Sequence, residues 1–150
     1  MVSVRQFGER VEGVEYIPRP GAYAVSIDAQ GRVATIWIQR DHLDWYVLAG
    51  GGIEGDESAV EAVVREMREE TGLEVEVVKE IGRANQYVHA KEERLYFNKL
   101  GVFFLVGVVT DHRDAQEEGH MLRWLAPQEA LEQLYHPSQA WILAQALGNE

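Results

Sequence analysis

The chain of 150 residues contains no cysteine, which excludes disulfide bonds, zinc–thiolate sites and thiol catalysis. No apolar run approaches the ~20 residues that a membrane-spanning helix needs, and the first ten residues lack the apolar centre of a secretory signal. Repeats, low-complexity segments and linkers rich in proline or serine are also absent. We therefore expect one cytoplasmic domain over residues 1–150, without a membrane partner and large enough to bury a core.

Basic residues are scarce: the chain has 14 Lys and Arg residues but 25 Asp and Glu residues. Its formal net charge is −11. Broad binding to nucleic acid needs a basic footprint, so we expect no nucleic acid polymer as a partner. Hydrophobic residues make up 46% of the chain, which excludes a disordered acidic tail as a general explanation. This composition is typical of a small enzyme.

A helix is predicted to begin directly after Ser58. Ser58 and Glu61 have the spacing of a capping box, and Gly72 can take the left-handed conformation that ends a helix. Apolar residues between them recur with helical spacing and form one stripe: Val60, Val63, Val64 and Met67. One face of this helix should therefore pack on a core.

Three carboxylates leave another face of the same helix. Glu66, Glu69 and Glu70 stand at i, i+3 and i+4, so their side chains are neighbours. A close set of carboxylates is what Mg²⁺ requires when it is shared with substrate phosphates. Taken alone, such glutamates more often form a solvated helix face. The glycines before the helix, Gly50–Gly52, let the backbone approach a ligand closely and favour the metal site.

The full spacing resembles the Nudix box, Gly-x5-Glu-x7-Arg-Glu-U-x-Glu-Glu-x-Gly-U, in which U is a bulky aliphatic residue. Residues 51–73 meet every fixed position, with Gly51, Glu57, Arg65, Glu66, Met67, Glu69, Glu70, Gly72 and Leu73. The chain therefore resembles the Nudix hydrolases of the MutT-like kind.

The resemblance implies a divalent cation, Mg²⁺, with Mn²⁺ as a possible substitute. Its ligands would be four carboxylates and one backbone carbonyl: Glu66, Glu69, Glu70 and Glu118, and the carbonyl of Gly50. Glu117 is a close alternative to Glu118, and an ordinary polar loop explains both residues equally well. The bound cation would neutralise the acidic charge of the box, which otherwise disfavours an anionic substrate.

Roles in catalysis are also implied by the resemblance. Glu69 is the favoured general base and Glu66 the next choice. Arg65 would orient carboxylates by ion pairing, or would form an ordinary surface pair. Glu57 would either point back toward the site or stabilise the helix dipole. His120 would contact substrate or carry a proton, although a structural hydrogen bond is the more ordinary role.

Substrate contacts are predicted outside the box. Arg40 ends a strand just before residues 41–44 and could clamp a phosphate bidentately; a solvated loop arginine explains it equally well. Further candidates could stack a base or line a pocket, although core packing is the more ordinary role of the aromatic ones. They are Arg19, Tyr23, Trp45, Tyr87 and Phe97.

The function implied by the resemblance is a Mg²⁺-dependent pyrophosphohydrolase. Water would attack phosphorus and cleave a phosphoanhydride bond in a nucleotide or nucleoside diphosphate derivative. A Nudix-fold sensor that binds such a ligand without turnover is the alternative, and the complete glutamate set favours the hydrolase. The isomerase branch of the fold is disfavoured by the absence of cysteine. A homodimer is possible through the weakly patterned N-terminal strands.

The chain outside the box predicts an α/β fold. Strand-like segments are residues 2–7, 14–17, 22–27, 33–38, 45–48, 73–79, 81–89, 95–109 and 120–125. Residues 28–31 are expected to form a hairpin turn, and residues 19–21 to interrupt the chain. Two C-terminal helices, residues 127–134 and 137–147, carry proline near their starts. This pattern is compatible with the α/β/α sandwich that the resemblance implies, in which helices cover both faces of a mixed sheet.

Overall fold

The computed structural model describes residues 4–40, 43–90, 94–111 and 120–148, and the side chains of residues 40 and 43 are outside this description. The described residues form eight strands and three helices. In chain order these are β1 (Arg5–Phe7), β2 (Ile17–Ser26), β3 (Val33–Arg40), β4 (Leu43–Val47), β5 (Gly50–Gly52), α1 (Ala59–Thr71), β6 (Leu73–Ala90), β7 (Leu95–Asp111), β8 (His120–Leu125), α2 (Pro127–Gln133) and α3 (Pro137–Ala146). None of these helices has the length and apolar character needed to cross a membrane.

The strands form two sheets. The large sheet has the order β1-β6-β7-β2-β5 and is mixed, because β1 is parallel to β6 and β2 to β7, whereas the other pairs are antiparallel. The small sheet is antiparallel and has the order β4-β3-β8. The expectation of a mixed sheet in an α/β fold is thereby confirmed.

Helix α1 packs between residues of both sheets, as its apolar stripe predicts, except that Val60 at the start of the stripe is exposed. Val63 and Met67 are fully buried together with Ala22 of the large sheet and Ile36 of the small one. The predicted start is confirmed, because the Ser58 hydroxyl accepts from the Glu61 N–H and the Glu61 carboxylate accepts from the Ser58 N–H. Gly72 ends the helix at φ 75°.

The C-terminal helices cover the other face of the large sheet. Ile142 and Leu143 of α3 are buried in a second apolar cluster with Val25 and Phe103 of the sheet. Phe104, next to Phe103, belongs to the cluster around α1. Consecutive strand residues therefore serve opposite cores, as the period of two requires, and the expected α/β/α layering is confirmed.

The predicted interruption at residues 19–21 is wrong, because β2 runs straight through both prolines. The Pro20 carbonyl accepts from the Ile53 N–H at 3.1 Å, so the backbone groups of Pro20 face away from β7. The missing N–H of Pro20 therefore removes no hydrogen bond between β2 and β7. A sheet tolerates proline where its N–H would not take part in strand pairing.

Other boundaries differ in the strands around the box. Residues 73–79 and 81–89 form the single strand β6, whose register shifts near residues 74, 78 and 81 are bulges that bend a strand without ending it. Of residues 14–17, only Ile17 lies in a strand. The three glycines before the box helix form a short edge strand, β5, that pairs with β2.

The matched valines of α1 provide a test of this packing. Val63 is fully buried and Val60 is 44% exposed. We expect Val63→Ala to lower the free energy of unfolding by about 2 kcal/mol, because it removes buried methyl groups and leaves a cavity. Val60→Ala should stay within about 0.5 kcal/mol of the wild type. Equal losses in urea denaturation of the two variants would contradict the assigned orientation of α1.

Candidate active site

The guanidinium of Arg65 gathers three glutamates of the box. Its Nε and Nη2 donate to the two carboxylate oxygens of Glu57 at 2.7 and 2.9 Å. Its Nη1 donates to Glu66 Oε1 at 3.0 Å and to Glu69 Oε2 at 3.1 Å. A further bond from Nη2 reaches the Gly52 carbonyl at 3.1 Å. Because Glu66 and Glu69 share one nitrogen atom, their carboxylates are held close together.

The bidentate pair of Arg65 and Glu57 is the strongest contact in this group. The Arg65 hydrogen bond, followed by the Glu54 N–H, lowers the pKa of the Glu57 carboxyl to about 2. The same bond raises the pKa of Arg65. Both groups therefore stay charged at every working pH. Glu57 precedes α1 in the chain. Its bonds to Arg65 bring its side chain back toward the carboxylates of the helix.

Glu70 turns into the molecule. Its side chain is 9% exposed, and its Oε1 accepts from the Gly50 N–H at 2.7 Å. Its Oε2 lies 3.5 Å from Nδ1 of His120, the first residue of β8. Glu70 thus joins α1 to both sheets, and His120 contacts a box glutamate.

The glycines of β5 permit this close arrangement. Gly50 has φ 148°, and a Cβ there would collide with the Ala22 carbonyl and with Tyr23. A Cβ on Gly51 would lie 2.7 Å from Glu66 Oε1. Only glycine therefore lets the edge strand pass between β2 and the carboxylates of α1.

A basic group lies on the large sheet near these carboxylates. Arg19 of β2 and Lys99 of β7 are paired across the two strands, and the Arg19 Cζ lies 3.9 Å from the centroid of the Phe97 ring. Burial lowers the pKa of the half-buried Lys99 ammonium, and Arg19 lowers it further, whereas Glu70 opposes the shift. The charge of the Glu70 carboxylate therefore acts on the Lys99 ammonium.

Tyr23 is the Cα partner of Gly50 and lies on the same strand, β2, as Arg19. Burial, together with the charges of Glu70 and Glu66, raises the pKa of its hydroxyl to about 12. The hydroxyl therefore stays protonated near neutral pH and can donate a hydrogen bond.

The remaining predicted residues are placed as follows. Trp45 stacks on Tyr135 at a centroid distance of 4.4 Å, and Tyr87 packs against Tyr16 at 4.6 Å. Neither ring is part of the charged group described above. Arg40 is the last residue of β3, and its side chain is outside the description. Glu117 and Glu118 also lie outside the described residues.

The donor chemistry of the box suits a hard divalent cation, because its side chains offer carboxylate oxygens next to glycine backbone. Within the described ranges, however, no three His, Asp or Glu side chains converge closely enough to hold a metal ion. Arg65 holds Glu66 and Glu69, whereas Glu70 bonds to the Gly50 N–H. The ligand set that the sequence predicts also includes Glu118, beyond the described part.

Lys99 and His136 belong to this region although sequence reasoning missed both. Lys99 alternates with Phe97, Gly101 and Phe103 in an otherwise apolar strand, so a period of two predicts that it shares their face. His136 precedes Pro137 at the start of α3. Burial, followed by the charge of Lys99, lowers the pKa of the His136 imidazole to about 4.

The sequence signature of the NUDIX domain matches residues 17–146 of the chain. The chain belongs to the NUDIX family. That range includes β2 to β8, the box and all three helices.

Individual relatives agree with this assignment. The RNA pyrophosphohydrolase of Xanthomonas campestris pv. campestris (strain B100) is 31% identical over 123 residues, which cover 71% of this chain and 58% of that protein. The chain therefore spans less than two thirds of the length of this curated relative. Among solved structures, the NUDIX hydrolase from Nitrosomonas europaea has a TM-score of 0.73 at 19% identity and covers 87% of this chain and 89% of its own. The MutT protein from Methanosarcina mazei Go1 has a TM-score of 0.71 at 20% identity, with 89% and 95% covered. At such identities the two structures support the Nudix fold alone.

The Nudix arginine gives a direct spectroscopic prediction. In the metal-free protein, NMR titration should give Glu57 a pKa of about 2, and Arg65→Gln should return it toward the ordinary value of 4.5. Arg83→Gln is the matched control, because Arg83 bonds to Glu80 on β6. A Glu57 pKa that stays near 2 in Arg65→Gln would contradict the assigned pair.

His136 predicts a pH dependence of stability. The folded protein keeps this imidazole neutral down to about pH 4, whereas the unfolded chain binds a proton near pH 6.5. Its contribution is therefore fully present above pH 6.5 and is lost as the pH falls toward 4. In urea denaturation across this range, the wild type should lose more stability than His136→Gln. Parallel losses in both proteins would show that burial does not perturb His136.

Proposed function

We propose that this protein is a metal-dependent pyrophosphohydrolase that cleaves a phosphoanhydride bond in a nucleotide or nucleoside diphosphate derivative. The observation that carries the proposal is the set of carboxylates gathered by Arg65 beside the glycine strand β5. Membership of the NUDIX family supports it. A protein that only binds a nucleotide has no need of the complete glutamate set.

We further propose Mg²⁺ as the cofactor, with Mn²⁺ as a substitute. Its ligands would be Glu66, Glu69, Glu70 and Glu118, together with the Gly50 carbonyl. When bound, the cation would neutralise phosphate charge and lower the pKa of a water molecule. Arg65 would keep Glu66 and Glu69 together, and His120 would position Glu70 through the 3.5 Å contact.

Glu69 is the proposed general base, with Glu66 as the next choice. The side chain of Glu69 is 46% exposed, whereas those of Glu66 and Glu70 are 14% and 9% exposed. Water therefore reaches the Glu69 carboxylate most easily, and Arg65 fixes its orientation. A carboxylate in that position can take the proton of the attacking water.

The proposed substrate is a small nucleotide. Arg19, Tyr23 and Phe97 lie on the large sheet and are proposed to contact it, as is Arg40. A net charge of −11 disfavours a nucleic acid polymer. The relatives named RNA pyrophosphohydrolase make RNA the competing substrate class. A cytoplasmic location and a homodimer remain predictions.

A substrate panel separates these possibilities. Phosphate release, with pyrophosphatase where needed, should be measured with and without Mg²⁺ on nucleoside triphosphates, dinucleoside polyphosphates, nucleoside diphosphate sugars and a 5′-triphosphorylated RNA oligonucleotide. Metal-dependent release from one small nucleotide class is the expected result. Release from the RNA alone would overturn the small substrate. Binding without release from any compound would favour the sensor.

The general base gives a prediction with a control in the same helix. Glu69→Gln should lower kcat by about 10²-fold or more, because general base catalysis contributes ~10²–10⁴. Glu61→Gln also removes one negative charge from α1 but keeps the capping box, since glutamine caps as well. It should retain kcat within about twofold. Full activity of Glu69→Gln would reject Glu69 as the base, and a loss in Glu66→Gln would then identify Glu66.

A further inference from the structure

We propose that Lys99 and Arg19 together bind a phosphate group of the substrate, beside the first turn of α3. The inference rests on the proposed function, because the phosphate is assigned to that substrate. It adds Lys99, which no motif of the family box includes, and a defined chemical task for Arg19.

The register of the sheet places the two cations side by side. Arg19 and Lys99 are Cα partners in the parallel pair of β2 and β7. Their side chains leave the same face, the one that also carries Tyr23 and Phe103 further along the strands. Neighbouring strands are about 4.8 Å apart, so the two side chains start close enough together for both to reach one phosphate.

The contacts within the folded protein do not explain why Arg19 and Lys99 lie side by side. Among the described residues, neither cation forms an ion pair with a carboxylate, and Arg19 is held over the Phe97 ring instead. Burial and the charge of Arg19 both lower the pKa of Lys99. A half-buried like-charge pair costs stability unless an anion offsets it. Such an unfavourable pair of charges is typical of functional sites.

Neutral side chains that can donate hydrogen bonds lie next to the cation pair. Lys99 lines a narrow cavity with Tyr23, Gln86 and His136, below the first turn of α3. A Cβ on Gly21 would lie 2.9 Å from the Tyr23 hydroxyl, so the ring lies back over this glycine toward Arg19. A tyrosine hydroxyl can donate a hydrogen bond to an anion. A phosphate at the cavity mouth would therefore receive hydrogen bonds as well as charge.

The position of the pair also suits a phosphate chain. The Glu70 carboxylate accepts from the Gly50 N–H at 2.7 Å, and Gly50 is the Cα partner of Tyr23 on β2. Glu70 of α1 thus reaches the β5 edge beside β2, the strand that also carries Arg19. A polyphosphate is proposed to extend along this edge, with one phosphate on the cation pair and its anhydride beside the glutamates.

The test is calorimetric binding of inorganic tripolyphosphate to the metal-free protein at low ionic strength. Lys99→Met and Arg19→Gln should each weaken the Kd about tenfold or more, because each removes a charge-assisted contact to phosphate. The matched control is Lys79→Met, which removes one positive charge from an exposed position on β6. Its Kd should stay within about twofold of the wild type, and Lys99→Arg should restore most of the affinity.

Stability provides a second readout. Lys99→Met removes a half-buried charge, so its Tm should equal or exceed that of the wild type while binding is weakened. A structural lysine would give the opposite result, a lower Tm with unchanged binding. Equal affinity of Lys99→Met and Lys79→Met, or no binding by the wild type, would overturn the inference.

The binding experiment needs neither a metal ion nor turnover, so its result can be interpreted even if no hydrolysis is found. Tripolyphosphate binding that depends on Lys99, without hydrolysis of any nucleotide, would reject the proposed activity alone. Metal-dependent hydrolysis with an unchanged KM and Kd in Lys99→Met would reject the phosphate site alone.

Discussion

The ion pairs of Arg65 connect the parts on which the candidate site depends. This arginine lies in the middle of α1, yet it bonds to Glu57 before the helix and to the Gly52 carbonyl of the edge strand. The Arg65 side chain therefore connects the segment between β5 and α1 to the edge strand and to the helix. It also gathers Glu66 and Glu69, whose negative charges would otherwise repel each other. The carboxylates of Glu57, Glu66 and Glu69 lie near one another because all three bond to the Arg65 guanidinium.

The proposed chemistry follows from the separation of charges around this network. Glu66 and Glu70 of α1 lie against β5, and Arg19 and Lys99 are paired on β2 and β7. Tyr23, the Cα partner of Gly50, has a hydroxyl that keeps its proton. In a protein with a net charge of −11, a local pair of cations is a specific feature and not a general attraction for anions. The nucleotide phosphate chain that we propose as substrate would contact both groups.

The sequence predicts the local features of this site better than its long-range ones. The limits of α1 follow from short-range chemistry, since the capping box at Ser58 and the left-handed Gly72 act within one turn. The passage of β2 through Pro20 depends on which side of the strand faces β7, and that is a property of the assembled sheet. Lys99 gains its neighbours only when β2 and β7 pair, 80 positions apart in the register. The burial of Glu70 likewise depends on β5 and β8.

The most direct test of the proposed chemistry is hydrolysis of the substrate identified by the panel in water enriched in ¹⁸O, followed by ³¹P NMR. Attack of water on phosphorus predicts one ¹⁸O atom in one phosphate product, with label appearing only when Mg²⁺ or Mn²⁺ is present. The position of the label would also show which phosphorus is attacked. Products without label, or labelled products formed equally well without a divalent cation, would contradict metal-dependent hydrolysis at the carboxylates that Arg65 gathers.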